Sequence, residues 1–496
     1  MHVMRRPRLI PISGRVDGSV IRSAMRYSIL DGIFAVPYIN LTSGPILIGF
    51  FLALGATTAQ IGLVSMLPLA GGLLQPLGAQ LIQRRNGWRK TVTTVSATLD
   101  ALLWGVTLVC VALLPPQRAI FALIAVLAVQ QVANAFVGVS WTSWMSDLVP
   151  PALRGRYFGY RNFICNAFGA VISVGAGQFI ERLGGNEVWS FGAVIVLAML
   201  FRLISIYILT QQPEPFPERV STARMRERFS APLASPAFRR YVQFGMTWGL
   251  AVHIASPFFA VYMIRDLRID FGLVMIVTAL ATISNLLGQR FWGRMSDRYG
   301  HYQIMRLTTL VVVLQPFWWL FVSSSGTGFY LIYLIHVVGG FTWGGYQLAS
   351  GNLMMLLAPD VGKSSYFATQ AAVSGVAGAA GPLIGGLLAD GLLDNIQFLD
   401  GVWISSLPML FLISFGLRLG SWVLLQRLPD PAEKPRLRVM YLIADAFRTS
   451  NSTQGFDPLL HRVAEVSDDE RPLEEALVEL EKESDADLPR EPRRSF

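Results

Sequence analysis

Charge is scarce in this chain of 496 residues: Asp, Glu, Lys and Arg together make up 15% of it. A soluble globule of that size needs more polar surface to cover itself. Cysteine is nearly missing, and the two present, Cys110 and Cys165, lie inside apolar runs. Neither a disulfide framework nor a spaced Cys/His metal cluster is therefore expected. The sequence contains no G-x-x-x-x-G-K-[ST] loop, no G-x-S-x-G elbow and no H-E-x-x-H pair. These absences speak against ATP bound to this chain and against the usual hydrolase and zinc-protease chemistries, so no enzyme, cofactor or metal is expected.

What the chain has in excess is apolar length. Hydrophobic residues make up 53% and the mean hydropathy is +0.47. Twelve segments approach the ~20 residues that cross a bilayer as a helix: 29–52, 60–82, 92–114, 119–141, 163–180, 189–210, 242–264, 271–291, 304–323, 328–348, 366–388 and 402–425. Backbone groups left unpaired in hydrocarbon are costly, and the length and lack of alternation of these runs fit helices rather than barrel strands.

The net charge of +9 is unevenly spread. Arg84, Arg85, Arg89 and Lys90 follow span 2. Arg154, Arg156 and Arg161 follow span 4, and Arg290, Arg294, Arg298 and Arg306 surround the end of span 8. Alternate loops carry only Arg118, Arg182, Arg265 and Arg268. The positive-inside rule then puts both termini and the even-to-odd loops in the cytoplasm, with the chain a multi-pass protein of the plasma (inner) membrane and the lipid bilayer its partner. No basic patch interleaved with aromatics supports nucleic-acid binding.

The chain also repeats itself. Leu148, Val149 and Pro150, with Arg154, Tyr157 and Phe158, recur 209 residues later as Leu357, Ala358 and Pro359, with Lys363, Tyr366 and Phe367. Arg202, Leu203 and Ser205 return as Arg418, Leu419 and Ser421. Two related halves predict a pair of six-helix bundles about a pseudo-two-fold axis. The organisation follows: 1–28, a cytoplasmic segment; 29–210 and 241–426, the two bundles; 211–240, a Pro-interrupted basic connector; and 427–496, a largely disordered cytoplasmic tail, its last part acidic and aromatic-poor.

Span 8 leads into Gly293-Arg-Met-Ser-Asp297-Arg298-Tyr-Gly300. This resembles the G-x-x-x-D-R-x-G loop of the major facilitator superfamily, at the place in a half where that family has it. The related first-half stretch from Gly78 to Lys90 has Gln83 in place of the acid. The connector Asp147-Leu-Val-Pro-Pro-Ala-Leu-Arg154-Gly-Arg156 resembles the family's loop between spans 4 and 5; simple anchoring of basic residues is the other reading. The resemblance implies an all-α secondary transporter with Arg84, Arg89, Asp147, Arg154, Arg156, Gly293, Asp297 and Arg298 in gating loops. Gly293 would let a neighbouring helix approach closely.

The resemblance also implies that spans 1, 4, 7 and 10 line a cavity. Span 1 is interrupted at Asn40-Leu-Thr42-Ser-Gly-Pro45 and span 7 at His253-Ile-Ala-Ser-Pro257, and interruptions at matching places in two halves point to a transport site. Asn40, Thr42 and His253 are thus cavity candidates, joined by Gln131 and Asn134 of span 4 and His336, Trp343, Tyr346 and Gln347 of span 10. A single polar residue in a span serves equally to bond a neighbouring helix. Asp31 and Asp100 are candidates for carrying a coupled proton. Asp31 could instead be a helix-start acid and Asp100 the partner of a neighbouring arginine. Arg202 and Arg418 are expected to snorkel to the surface, and Trp141 and Trp144 to sit in the interfacial belt. The expected function is transport of a small molecule by alternating access: export of a moderately apolar compound with protons as the coupling ion, or uptake of a sugar or other neutral solute. A non-transporting sensor or lipid-handling protein is the reading from another class.

Overall fold

The computed structural model describes residues 9–10, 18–75, 78, 88–150, 153–183, 187–215, 232–358, 363–391, 396–399 and 402–428. The expectations placed on Arg84, on most of 211–240 and on nearly all of the tail lie outside the described residues. Residues 1–16 and 20–435 form one compact unit; the other comprises 17–19 and 436–496, of which only 18 and 19 are described.

The unit is helical almost throughout. The first half holds α1 (Gly18–Leu41 and, after a break, Gly44–Ala53), α2 (Thr58–Gly71 with a tighter turn at Gly72–Leu74), α3 (Arg89–Leu113), α4 (Pro116–Leu148), α5 (Arg154–Arg182) and α6 (Val188–Gln211). The second holds α7 (Pro236–His253, then Phe258–Val261 and a wide turn at Tyr262–Asp266), α8 (Phe271–Tyr299), α9 (His301–Trp318, ending in Trp319–Phe321), α10 (Thr327–Leu357), α11 (Lys363–Gly391) and α12 (Ser406–Leu425). Ten of these are long and apolar enough to cross a membrane; α2 is a shorter apolar helix over its described length, and α10 runs for 31 residues. Two small pairings complete the structure: β1 (Leu9–Ile10) lies parallel to β2 (Glu214–Pro215), and β3 (Ile396–Leu399) is antiparallel to β4 (Val402–Ile404).

Local chemistry sets the helix ends. Thr57 and Gln60 form a reciprocal cap at the start of α2, the Thr57 hydroxyl accepting from the Gln60 N–H at 3.3 Å and Gln60 Oε1 from the Thr57 N–H at 2.9 Å. Between α8 and α9 the chain turns at Gly300 with φ of 92°, a conformation that a side chain resists. That glycine is the last of the loop motif.

Glycine also decides how closely helices pack. A Cβ on Gly288 would run into the Phe341 carbonyl, and one on Gly340 into the Ala281 carbonyl. The backbones of α8 and α10 therefore touch directly. At Gly293 a Cβ would meet only Leu348 Cδ1 at 3.6 Å, ordinary contact. The close approach expected of Gly293 belongs instead to Gly288, Gly340 and Gly344, further up the same interface.

Between the halves, α2 packs on α11 and α5 on α8. Gly62 of α2 faces the Pro382 carbonyl and the Gly386 Cα of α11, and Gly177 of α5 faces Met275 of α8. The largest apolar core spans both halves and includes Phe50, Phe51, Phe191, Phe258, Phe271, Trp319 and Phe411.

Candidate transport cavity

Helix α8 carries Thr278, Thr282, Asn285 and Gln289, spaced by four, three and four residues in an otherwise apolar run. That spacing puts all four on one face, and Gln289 donates to Asn285 Oδ1 at 2.8 Å. They line a cavity of about 700 Å³ together with Asn162 and Asn166 of α5, Gln315 and Trp319 of α9, His336, Trp343 and Gln347 of α10, Ser256 and Phe259 of α7, Pro45 of α1 and Arg418 of α12. Its polar groups are amides, hydroxyls and an imidazole. Arg418 is the single formal charge among its lining residues.

Several of these side chains are held by their neighbours. Trp343 Nε1 donates to Gln315 Oε1 at 3.1 Å. His336 Nδ1 pairs with the Ile332 carbonyl at 2.8 Å, and its ring stands edge-on to Trp319 at 5.8 Å. Ring orientation is fixed before anything binds, as a selective site requires.

A second, smaller cavity of about 310 Å³ gathers the two helix breaks. Ser43, Gly44 and Pro45 of α1 line it together with His253, Ser256 and Pro257 of α7 and Pro382 of α11. Pro45, Ser256 and Ala260 border both cavities. His253 Nδ1 pairs with the Gly249 carbonyl at 2.8 Å.

The first half has a different interior. Asp31 accepts from the Ser205 hydroxyl at 2.6 Å and lies 3.8 Å from Arg161 Nη2. Asp100 accepts from the Tyr38 hydroxyl at 2.5 Å and lies 3.6 Å from Arg202 Nη2. The Asp100 backbone carbonyl accepts from Gln130 at 3.1 Å. Asn134 lies beside the carboxylate, but Asp100 Oδ1 makes no hydrogen bond of good geometry. Arg202 also covers the Tyr38 ring at 4.9 Å and Arg161 the Trp141 ring at 4.6 Å. All four charged side chains are at least nine-tenths buried. α1, α3, α5 and α6 are thereby tied by two arginine–aspartate pairs. Asp31 stands thirteen residues into α1, so it is not a helix-start acid. Nor do Arg202 and Arg418 snorkel: both are buried, because an acid or backbone carbonyls inside their own half face the guanidinium. Trp144 is fully buried and donates to the Pro213 carbonyl at 2.9 Å, so it does not belong to an interfacial belt.

The two ends of the unit differ. At the end with few basic residues, Asp390 of α11 accepts from the Ala59 N–H of α2 at 2.6 Å, and Glu181 of α5 accepts from the Phe271 N–H of α8 at 2.7 Å. Arg265 donates to Thr58 at 2.8 Å nearby. Each bond joins one half to the other across the start of a helix, where free N–H groups and the helix dipole favour a carboxylate.

At the basic end the described hydrogen bonds stay within each half. Arg89 is buried, its backbone N–H donates to Glu214 Oε1 at 2.8 Å, and Nη1 donates to the Ser143 carbonyl at 3.1 Å. Burial raises the Glu214 carboxyl above the usual carboxylate range, while the Lys90 and Arg89 N–H groups and the Arg89 guanidinium pull it down. Arg154 caps α4, donating to the Val149 and Ser146 carbonyls at 3.0 and 2.5 Å. Arg156, Asp297 and Arg298 are exposed, and Arg298 packs on the Tyr299 ring at 5.1 Å. Among the described residues Asp297 has no ion pair. Nothing is described of the Asp147 side chain.

Of the residues expected at the cavity, His336, Trp343 and Gln347 line the larger space and His253 the smaller one. The others have different neighbours. Asn40 packs against Gly169 of α5, Thr42 bonds back to the Tyr38 carbonyl at 2.7 Å, and Gln131 lies against Gly71 of α2. Asn134 is beside Asp100, and Tyr346 stacks among Trp248 and Trp343. Sequence reasoning missed Asn162, Asn166, Gln315, Arg418 and the α8 stripe. Only the stripe left a signal, its polar spacing on one helix face.

Ten helices long and apolar enough to cross a membrane, packed beside a polar cavity, define a multi-pass membrane protein. Part of the sequence agrees: residues 244–441, most of the second half, match the model of the Major Facilitator Superfamily. A search of curated proteins finds no match. Among solved structures it is similar to the nucleoside transporter NupG, at 15% identity and a TM-score of 0.59, covering 82% of this chain and 98% of that one. A bacterial homologue of the iron transporter ferroportin matches in its inward-facing state at 12% identity and a TM-score of 0.61, covering 83% and 99%. The outward-facing state matches at 14% and 0.52, covering 82% and 98%.

Proposed function

We propose that this chain carries a small, hydrogen-bonding solute across the cytoplasmic membrane by alternating access, the two halves rocking about the larger cavity, with both termini and the basic loops in the cytoplasm. One observation carries the reading: the halves are bonded together at the end poor in basic residues, while the described hydrogen bonds at the basic end stay within each half, and the cavity lies between the two ends. Asn162 lies eight residues from the basic start of α5, about 12 Å along the helix.

The lining favours a polar solute over the moderately apolar compound expected from sequence. Six amide side chains face the space, and a moderately apolar compound would leave them without partners. Asp31 and Asp100 remain the proposed proton sites. Protonating either would remove the charge that holds Arg161 or Arg202, loosening helices of the first half.

Reconstituted vesicles loaded with a defined mixture of polar metabolites test this. At least one solute should leave in a protein-dependent way, faster with a pH gradient, and Asp31→Asn or Asp100→Asn should abolish the gradient's effect. Absence of any protein-dependent flux would overturn the reading. Orientation is checked separately by single cysteines at Trp88 and Arg298, which should react with an impermeant reagent from the same side.

A further inference from the structure

Arg418 is 2% exposed and borders the larger cavity. Its Nη1 donates to the Val312 carbonyl at 3.0 Å, which lacks its usual helical partner because residue 316 is proline. Nη2 reaches the Val252 carbonyl, beside the break in α7, at 3.5 Å. Nε has no partner. A guanidinium offers five N–H groups and stays charged in a protein, so two carbonyls satisfy part of its donors and none of its charge.

The repeat shows how unusual this is. In the first half the counterpart, Arg202, faces Asp100 at 3.6 Å, and Arg161 faces Asp31 at 3.8 Å. In the second half α7 over Pro236–His253, α9, α10 and α12 contain no acidic residue at all, and no acid lines the cavity. An unpaired cation buried in low dielectric is expensive. The first half neutralises its buried arginines internally, and the second leaves that place to something from outside the chain.

We propose that the transported solute is an organic anion, whose oxyanion group, carboxylate or phosphate, pairs with Arg418. This deepens the transport reading and rests on it. The rest of the molecule lies along Trp319 and Trp343, with Gln315 and Asn285 meeting its neutral polar groups. A charge-assisted, forked contact of this kind is the strong form of hydrogen bond, and the aromatic walls add apolar contact without competing for charge.

The test uses the full-length purified chain and thermal unfolding in the presence of matched pairs: aromatic carboxylates with their amides, from benzoate and benzamide upward in size, and aryl phosphates with their phenols. At least one acid should raise the melting temperature while its neutral twin does not. Arg418→Gln, which keeps a polar side chain there without the charge, should weaken that acid about 30-fold or more, and Arg418→Lys should retain part of the affinity. Equal shifts from acids and neutral twins in the wild type, or no shift from any acid, would overturn the proposal without any variant. So would a folded Arg418→Gln protein that binds the acid as the wild type does. Flux separates the two readings. An acid that binds through Arg418 yet never crosses a reconstituted membrane removes the transport reading and keeps the site; neutral solutes that cross while acids neither bind nor cross do the reverse.

Discussion

The Asp390 carboxylate accepts the backbone N–H of Ala59 at 2.6 Å, and 209 residues earlier Glu181 does the same for Phe271 at 2.7 Å. Each acid stands at the end of one helix and caps the start of a helix in the opposite half. The repeat that built two bundles has built the same fastener twice.

Removing both fasteners should open that end. A carboxylate cap contributes on the order of 1 kcal/mol, so the Glu181→Ala, Asp390→Ala double variant is expected to shift the balance of open and closed states by about 30-fold. The larger share falls on Glu181, the less exposed of the two. Distances between spin labels on the outer ends of α2 and α11 read the change; an unaltered distribution would refute it.

The Asp100–Arg202 pair calls for a second measurement. Removing one partner of a buried pair leaves the other charge uncompensated, typically at a cost of about 3–5 kcal/mol. Asp100→Leu should therefore lower the melting temperature sharply. Adding Arg202→Met should recover much of the loss, and additive losses would mean that the two charges do not support each other.

Glycines of α8 and α10 separate packing from gating. Gly288→Ala and Gly340→Ala each drive a methyl into a backbone carbonyl and should destabilise by about 1–3 kcal/mol. Gly293→Ala meets only the end of Leu348 and should melt as the wild type does. A Gly293→Ala protein as unstable as Gly340→Ala would contradict this packing.

Asp297 is exposed and without an ion pair among the described residues, so Asp297→Ala should leave the melting temperature unchanged. Its effect is expected on transport, through the state in which the basic end closes. Unchanged flux with unchanged accessibility at that end would remove Asp297 from the gate.

Most of the helices and the two breaks were open to sequence reasoning because hydrophobic length and proline act locally. His253, His336, Trp343 and Gln347 stand at cavity walls. Asn40, Thr42 and Gln131 have the residue type of a cavity wall, yet a polar side chain in a helix has several faces to choose from. A rotation of one helix by a residue, about 100°, decides whether it meets a cavity, a neighbour's backbone or its own preceding turn.

By itself, then, the sequence determined a doubled, membrane-length helical chain with basic residues gathered in alternate loops, since burial in lipid constrains composition one segment at a time. Which charges cancel was decided only in three dimensions. Arg202 and Arg418 are the same residue in the same repeat position, and nothing along the chain tells them apart. The difference arises from helices far away in sequence, one of which brings an aspartate to its arginine while the other brings a proline-freed carbonyl.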